Sequence, residues 1–171
     1  MNARTLSDDL RASAARSADR TAVVYGDRRL TYAELDRAVD GFAAGLRQLG
    51  VRRGDRVAVV LANGVETAIA IYGAMRAGAG FTPLNATAKE EKLAFLLEHS
   101  GAKVAVCDAR NAHVVARDDV TCLVLAPERP TRYVGRGATV REASRRPTAA
   151  EQAASGEVHD GVVVDVRSVL D

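Results

Sequence analysis

Four short apolar runs, RVAVVLA (56–62), GFTPLN (80–85), KVAVC (103–107) and TCLVLA (121–126), are separated by segments of helical period. A continuous Val-rich run of this length suits a strand buried on both faces, as in a parallel sheet. Between the runs, residues 64–77 align Val65, Ile69, Tyr72 and Met75, and residues 88–99 align Leu93, Leu96 and Leu97. A weaker helix spans Ala109–Ala116. Gly78 and Gly101 stand where a helix ends in the left-handed conformation. Strand and helix alternating over short connections predict an α/β fold, with helices packed on both faces of a mainly parallel sheet.

The segment before this alternation is read differently. Residues 7–18 form a short helix with Ser7 as N-cap and Leu10 and Ala14 on one face. Ala22–Tyr25, the loop Gly26-Asp27 and Arg28–Leu30 form an N-terminal β-hairpin. Next comes the stretch LTYAEL (30–35). Thr31 and Glu34 make a T-x-x-E capping box, and Leu30 and Leu35 flank it as a hydrophobic staple. The helix it opens repeats Leu35, Val39, Phe42, Leu46 and Leu49 on one face and ends at Gly50. The same box recurs at Thr87 and Glu90.

Charge and composition remove several function classes. Lys+Arg 24 against Asp+Glu 22 gives a net charge of +2, with the basic residues interspersed along the chain, so no nucleic-acid footprint is visible. No Trp and 4% aromatics leave little for base stacking. The most apolar window, Val65 to Leu84, is broken by Arg76, glycines and a proline, so no membrane span is expected. The N-terminus lacks the apolar core of a signal peptide, and a cytoplasmic protein is expected. Cys107 and Cys122 lie in apolar runs and read as buried thiols.

Each polar candidate has a structural explanation. The glycines of GAMRAGAG (73–80) follow a helix and precede a strand, the reverse of a phosphate cradle, and are read as helix stop and strand entry. Asn63, Asn85 and Asp108 end strands, where open α/β sheets bind ligands, but each also starts a helix as a preferred cap. His99 sits in a last helical turn. His113 lies within sequence reach of both cysteines, without a group to orient a Cys-His pair.

Together the pieces resemble a known family. LTYAEL, carrying Leu30, Thr31, Tyr32, Glu34 and Leu35, resembles the first core motif of the AMP-forming adenylating enzymes. These include acyl-CoA synthetases, adenylation domains and luciferases. LRQLGVRRGDRVAVVLANGVE (46–66) resembles its continuation. MRAGAGFTPLN (75–85), with Gly78, Pro83 and Asn85, resembles the second motif, and HSGAKVAVCD (99–108) the strand after it. Pro83-Leu84-Asn85 is more like the acyl-CoA synthetase branch. The resemblance covers about residues 5–126 and makes them the N-terminal portion of an AMP-binding domain.

It implies activation of a carboxylic acid by ATP with release of pyrophosphate, then transfer to a thiol such as coenzyme A. ATP, Mg²⁺ and coenzyme A serve the full-length family. The phosphate loop and the catalytic lysine would lie beyond this chain. Hence no catalytic, cofactor-binding or metal residue carries over, no cofactor is expected for this chain alone, and the expectation is a partial domain of the adenylate-forming fold, inactive by itself. Residues 127–160, rich in Arg, Pro and Ala, read as loop or disorder of the kind out-of-frame translation of GC-rich DNA resembles. Residues 161–171 offer one terminal strand. Two alternatives stand beside this reading: a non-catalytic module that self-associates or pairs with a ligase, and a small flavodoxin-like ligand binder.

Overall fold

The computed structural model describes residues 4–116, 120–126 and 129–134. Helix α1 (Leu6–Arg16) leads into strands β1 (Thr21–Tyr25) and β2 (Arg28–Thr31) and helix α2 (Tyr32–Gln48). The chain continues through β3 (Arg56–Val60), α3 (Val65–Ala77), β4 (Gly80–Pro83), α4 (Glu90–Ser100), β5 (Val104–Cys107), α5 (Ala112–Val115), β6 (Thr121–Ala126) and β7 (Arg129–Val134). β1 and β2 pair antiparallel as the expected hairpin. The main sheet runs β4-β3-β5-β6-β7, its first four strands parallel and β7 antiparallel to β6.

Alternation along the central strands separates two cores. Val57, Val59, Val104, Val106, Leu123 and Leu125 face α2 and α3. Ala58, Val60, Ala105, Cys107, Cys122 and Val124 face Leu93 and Leu97 of α4 and Val115 of α5. With both faces covered, these strands have no polar side, which is why their sequences are continuous apolar runs. The hairpin and α1 lie over the first core, through Leu30 and Leu10.

Several expectations need correction. Thr5, not Ser7, caps α1: its side chain accepts from the Asp8 amide while Asp8 bonds back to the Thr5 amide. Ser7 lies buried in the first turn. α3 buries its small side, Val65, Ile69, Ala70, Gly73, Ala74 and Ala77, and leaves Tyr72 and Met75 half-buried. The cause is close packing on α2, since a Cβ on Gly73 would stand 2.5 Å from Phe42 Cδ1. Gly73 is therefore a seat for Phe42 inside α3 and not part of the helix stop. The stop is Gly78, at φ +88°.

Leu96 is half-buried, so α4 rests on Leu93 and Leu97 alone of the three. No capping box forms at Thr87 and Glu90. The N-cap of α4 is Lys89, and Thr87 is held instead by Asn85. Finally, β7 falls in the segment read as loop. Its Pro130 is tolerated because β7 is an edge strand, where one row of backbone groups needs no partner. The expected strand over 161–171 and the rest of the Arg/Pro/Ala-rich segment lie outside the described residues.

Candidate functional site

The first motif folds as its residues dictate. The Glu34 carboxylate accepts from the Thr31 amide at 2.7 Å and the Thr31 hydroxyl at 2.9 Å, while the Glu34 amide donates to Thr31 Oγ1 at 3.2 Å. Those bonds, the Thr31 amide foremost, hold the Glu34 carboxyl below its ordinary range, since they favour the charged form. Leu30 and Leu35 are both buried beside the cap. A carboxylate engaged in this way is a cap, not a free acid or base.

One turn further on, the two motifs meet. Arg76, from MRAGAGFTPLN, reaches under α2 with its side chain 5% exposed and pairs with Asp36 Oδ1 at 2.6 Å and Asp40 Oδ1 at 3.0 Å. Its Nη1 also donates to the Asp36 carbonyl at 3.1 Å. Its Nε and Nη2 donate to Ser7 Oγ and Ser7 O at 2.8 and 3.0 Å. The Asp36 contact lies off the hydrogen-bonding direction, leaving Oδ1 with an ionic partner but no aligned donor. One buried guanidinium thus joins α1, α2 and α3, and nothing in the spacing of Ser7, Asp36 and Arg76 along the sequence announced it.

Beyond Arg76 the second motif turns through Gly78 into β4. The Gly80 amide donates to Asp55 O at 2.8 Å, and the Gly54 amide to Gly78 O at 3.1 Å. Asp55 accepts from the Arg52 amide at 2.7 Å and pairs with Lys103 at 3.3 Å. The amide bond, then Lys103, keeps its carboxyl below the ordinary range. Lys103 also donates to the Gly50 carbonyl. The lysine is therefore spent on fastening the turn before β3 to β5.

The strand-end candidates follow the carboxyl ends of three neighbouring strands, β4, β3 and β5, but do not form a reactive cluster. Asn85 closes its own turn, its Oδ1 accepting from the amide and hydroxyl of Thr87, both at 2.8 Å. Asp108 Oδ1 accepts from Asn111 N and Nδ2, and Asn111 Nδ2 also donates to Ala86 O at 3.2 Å, bridging the loops after β4 and β5. Asn63 is exposed, and the N-cap of α3 is Gly64. Pro83 ends β4 on the exposed edge of the sheet. Asn85 and Asp108 cap turns rather than helices, because α4 and α5 begin five and four residues later and leave each a turn of its own.

His113 does not approach the cysteines. Its Nε2 lies 2.9 Å from Glu90 Oε1 on the surface. Cys107 and Cys122 are fully buried with their sulfurs 3.7 Å apart, and the mutual contact together with burial pushes the Cys107 thiol up, away from the nucleophilic thiolate. His99 stacks on Phe95 at 3.9 Å. Among the described residues no three of His, Cys, Asp and Glu gather as a metal set.

A family model described as AMP-binding enzyme matches residues 10–163 of this chain. The chain belongs to the AMP-binding enzyme family. The resemblance of this chain to the family is thereby borne out. Among curated members, surfactin synthase subunit 2 of Bacillus subtilis is 39% identical over 99 residues, 58% of this chain and 3% of its own length. The long-chain-fatty-acid–CoA ligase FadD13 of Mycobacterium tuberculosis is 34% identical over 109 residues, 64% of this chain and 21% of its own. The chain therefore spans well under two thirds of either.

Among solved members, the N-terminal domain of FACL13 from Mycobacterium tuberculosis superposes with a TM-score of 0.62 at 34% identity, over 66% of this chain and 29% of that one. O-succinylbenzoate coenzyme A synthetase of Bacillus subtilis, solved with ATP and magnesium ion, gives 0.55 at 31% identity, over 58% and 27%. These matches bear out the partial adenylate-forming fold.

Proposed function

We propose that this chain is the N-terminal scaffold of an ATP-dependent, AMP-forming acyl-CoA synthetase, and that it does not adenylate an acid by itself. The observation that carries this is the Arg76 junction, which binds the second family motif to the helix opened by the first. That makes both motifs parts of one packing unit. Pro83-Leu84-Asn85 favours the acyl-CoA branch, with the acid drawn from fatty-acid metabolism, and the location is cytoplasmic. Among the described residues no helix is long and apolar enough to cross a membrane.

ATP, Mg²⁺ and coenzyme A belong to this reading as needs of the whole enzyme. The described residues do not fit the nucleotide's phosphates. Gly73 is filled by Phe42, Gly78 stops α3, and the Gly80 amide is bonded to Asp55. Of the three lysines, Lys103 is tied to Gly50 and Asp55, and Lys89 and Lys92 lie exposed at the start of α4. Charge developing on an α-phosphate requires placed cations and backbone donors together. The purified 171-residue chain, given ATP, Mg²⁺, labelled pyrophosphate and a panel of carboxylic acids, is expected to show no exchange above the protein-free rate. Measurable exchange would overturn this reading.

A second reading, a non-catalytic module that self-associates or pairs with a ligase, draws support from the exposed edge strand β4 with Phe81, and from Phe95 on α4, which is 55% exposed. Sedimentation at several concentrations discriminates. A monomer at every concentration counts against self-association.

A further inference from the structure

We infer that the groove between α1 and the C-terminal ends of α2 and α3 is a docking surface for an acidic segment of a partner protein. Among the described residues six arginines and two aspartates line this groove, of about 1180 Å³, while the entire chain carries a net charge of only +2. The arginines come from four separate stretches of sequence, so the concentration of charge is a product of the fold.

Their states differ. Arg4 and Arg11 pair with Asp9 and Asp40, and Arg76 is buried in its junction. Among the described residues no carboxylate pairs with Arg16, Arg47 or Arg53. Arg16 bonds only to the Ser13 hydroxyl, and Arg47 to the Arg76 carbonyl. Arg16 and Arg47 stand in last helical turns, where a helix terminus itself favours a cation. Arg53 belongs to no helix. Its backbone packs close to Gly78, where an added Cβ would stand 3.5 Å from Arg53 Cα, and the neighbouring Gly54 amide bonds to the Gly78 carbonyl. Among the described residues it is an exposed charge without a partner.

The lining selects the kind of anion. Arginine forks match carboxylates and phosphates two bonds at a time. Among the described residues no aromatic side chain lines the groove to offer bases a stacking surface. Asp8 and Asp40 stand on the wall among the cations, which opposes one compact, highly charged group and suits charges spaced along a chain. Ala12, Met75 and Ala79 give the groove an apolar floor for the intervening side chains.

Fluorescence anisotropy of a labelled decaglutamate peptide with the 171-residue chain tests this. Binding is expected to weaken about fivefold for Arg16→Glu and for Arg53→Glu, the order of one exposed charge pair each, and further for the double variant. Arg29→Glu, exposed on the hairpin, is expected to stay within about twofold, and Arg53→Gln, which adds no repulsion, to fall between. Equal weakening by Arg29→Glu, or an unaffected double variant, overturns the proposal. So does retention of phosphatidylglycerol vesicles or oligothymidylate by a chain that ignores the peptide.

Discussion

At the residue scale, Arg76 decides the most. A guanidinium with 5% of its side chain exposed is tolerated because two carboxylates, a hydroxyl and two carbonyls surround it. Removing one member of a buried pair strands the other, so Arg76→Met is expected to destabilise the chain by roughly 2–4 kcal/mol, reduced from the fully buried case because Asp40 is half exposed. Urea unfolding would show it as a lower midpoint with an unchanged slope. Thr31→Ala is expected to cost about 1 kcal/mol through the lost cap. The pH dependence follows from the sign of the Glu34 shift. Its folded pKa lies below the ordinary 4.5, so its stabilisation is complete above that value and is lost as pH falls through the folded pKa. Unfolding midpoints measured from pH 6 downward should therefore fall less steeply in Thr31→Ala than in the unchanged chain. Parallel profiles would show that the cap carries no such coupling.

At the element scale, α2 and α3 are set by one close approach. Gly73→Ala places a methyl against the Phe42 ring and is expected to destabilise by about 1–3 kcal/mol. Phe42→Leu in the same chain should return part of that, a non-additivity readable from a double-mutant cycle. Elements were legible wherever local chemistry and packing agree. The hairpin, α2 and the stops at Gly78 and Gly101 follow from turn residues, a capping box and a staple, which are written in neighbouring residues. Where two local options compete, the sequence alone could not choose. Thr5 with Asp8 forms a box as good as any that Ser7 offers, and Asn85 captures the Thr87 hydroxyl before Glu90 can use it. β7 was hidden for another reason: RPTRYV has no apolar alternation, and only an edge of β6 left unpaired makes it a strand.

At the scale of the whole molecule, a parallel sheet of four strands with a core on each face was foreseeable from four apolar runs and the helices between them, but its order, β4-β3-β5-β6, was not. The Arg76 junction and the arginine groove were not, because both join residues tens of positions apart. Burial of both cysteines in the second core predicts that neither reacts with a thiol reagent in the folded chain and both do in denaturant; reaction at the native rate of a free thiol would contradict that packing. The central claim is the proposal that this chain supplies the N-terminal scaffold of an AMP-binding enzyme without the phosphate chemistry. The direct measurement is acid-dependent ATP–pyrophosphate exchange by FadD13 in which the matching N-terminal segment is replaced by these residues. Exchange by the chimera, and its loss on Arg76→Met in the same background, is the predicted result. A chimera that melts cooperatively like the parent ligase but exchanges no pyrophosphate would contradict the account.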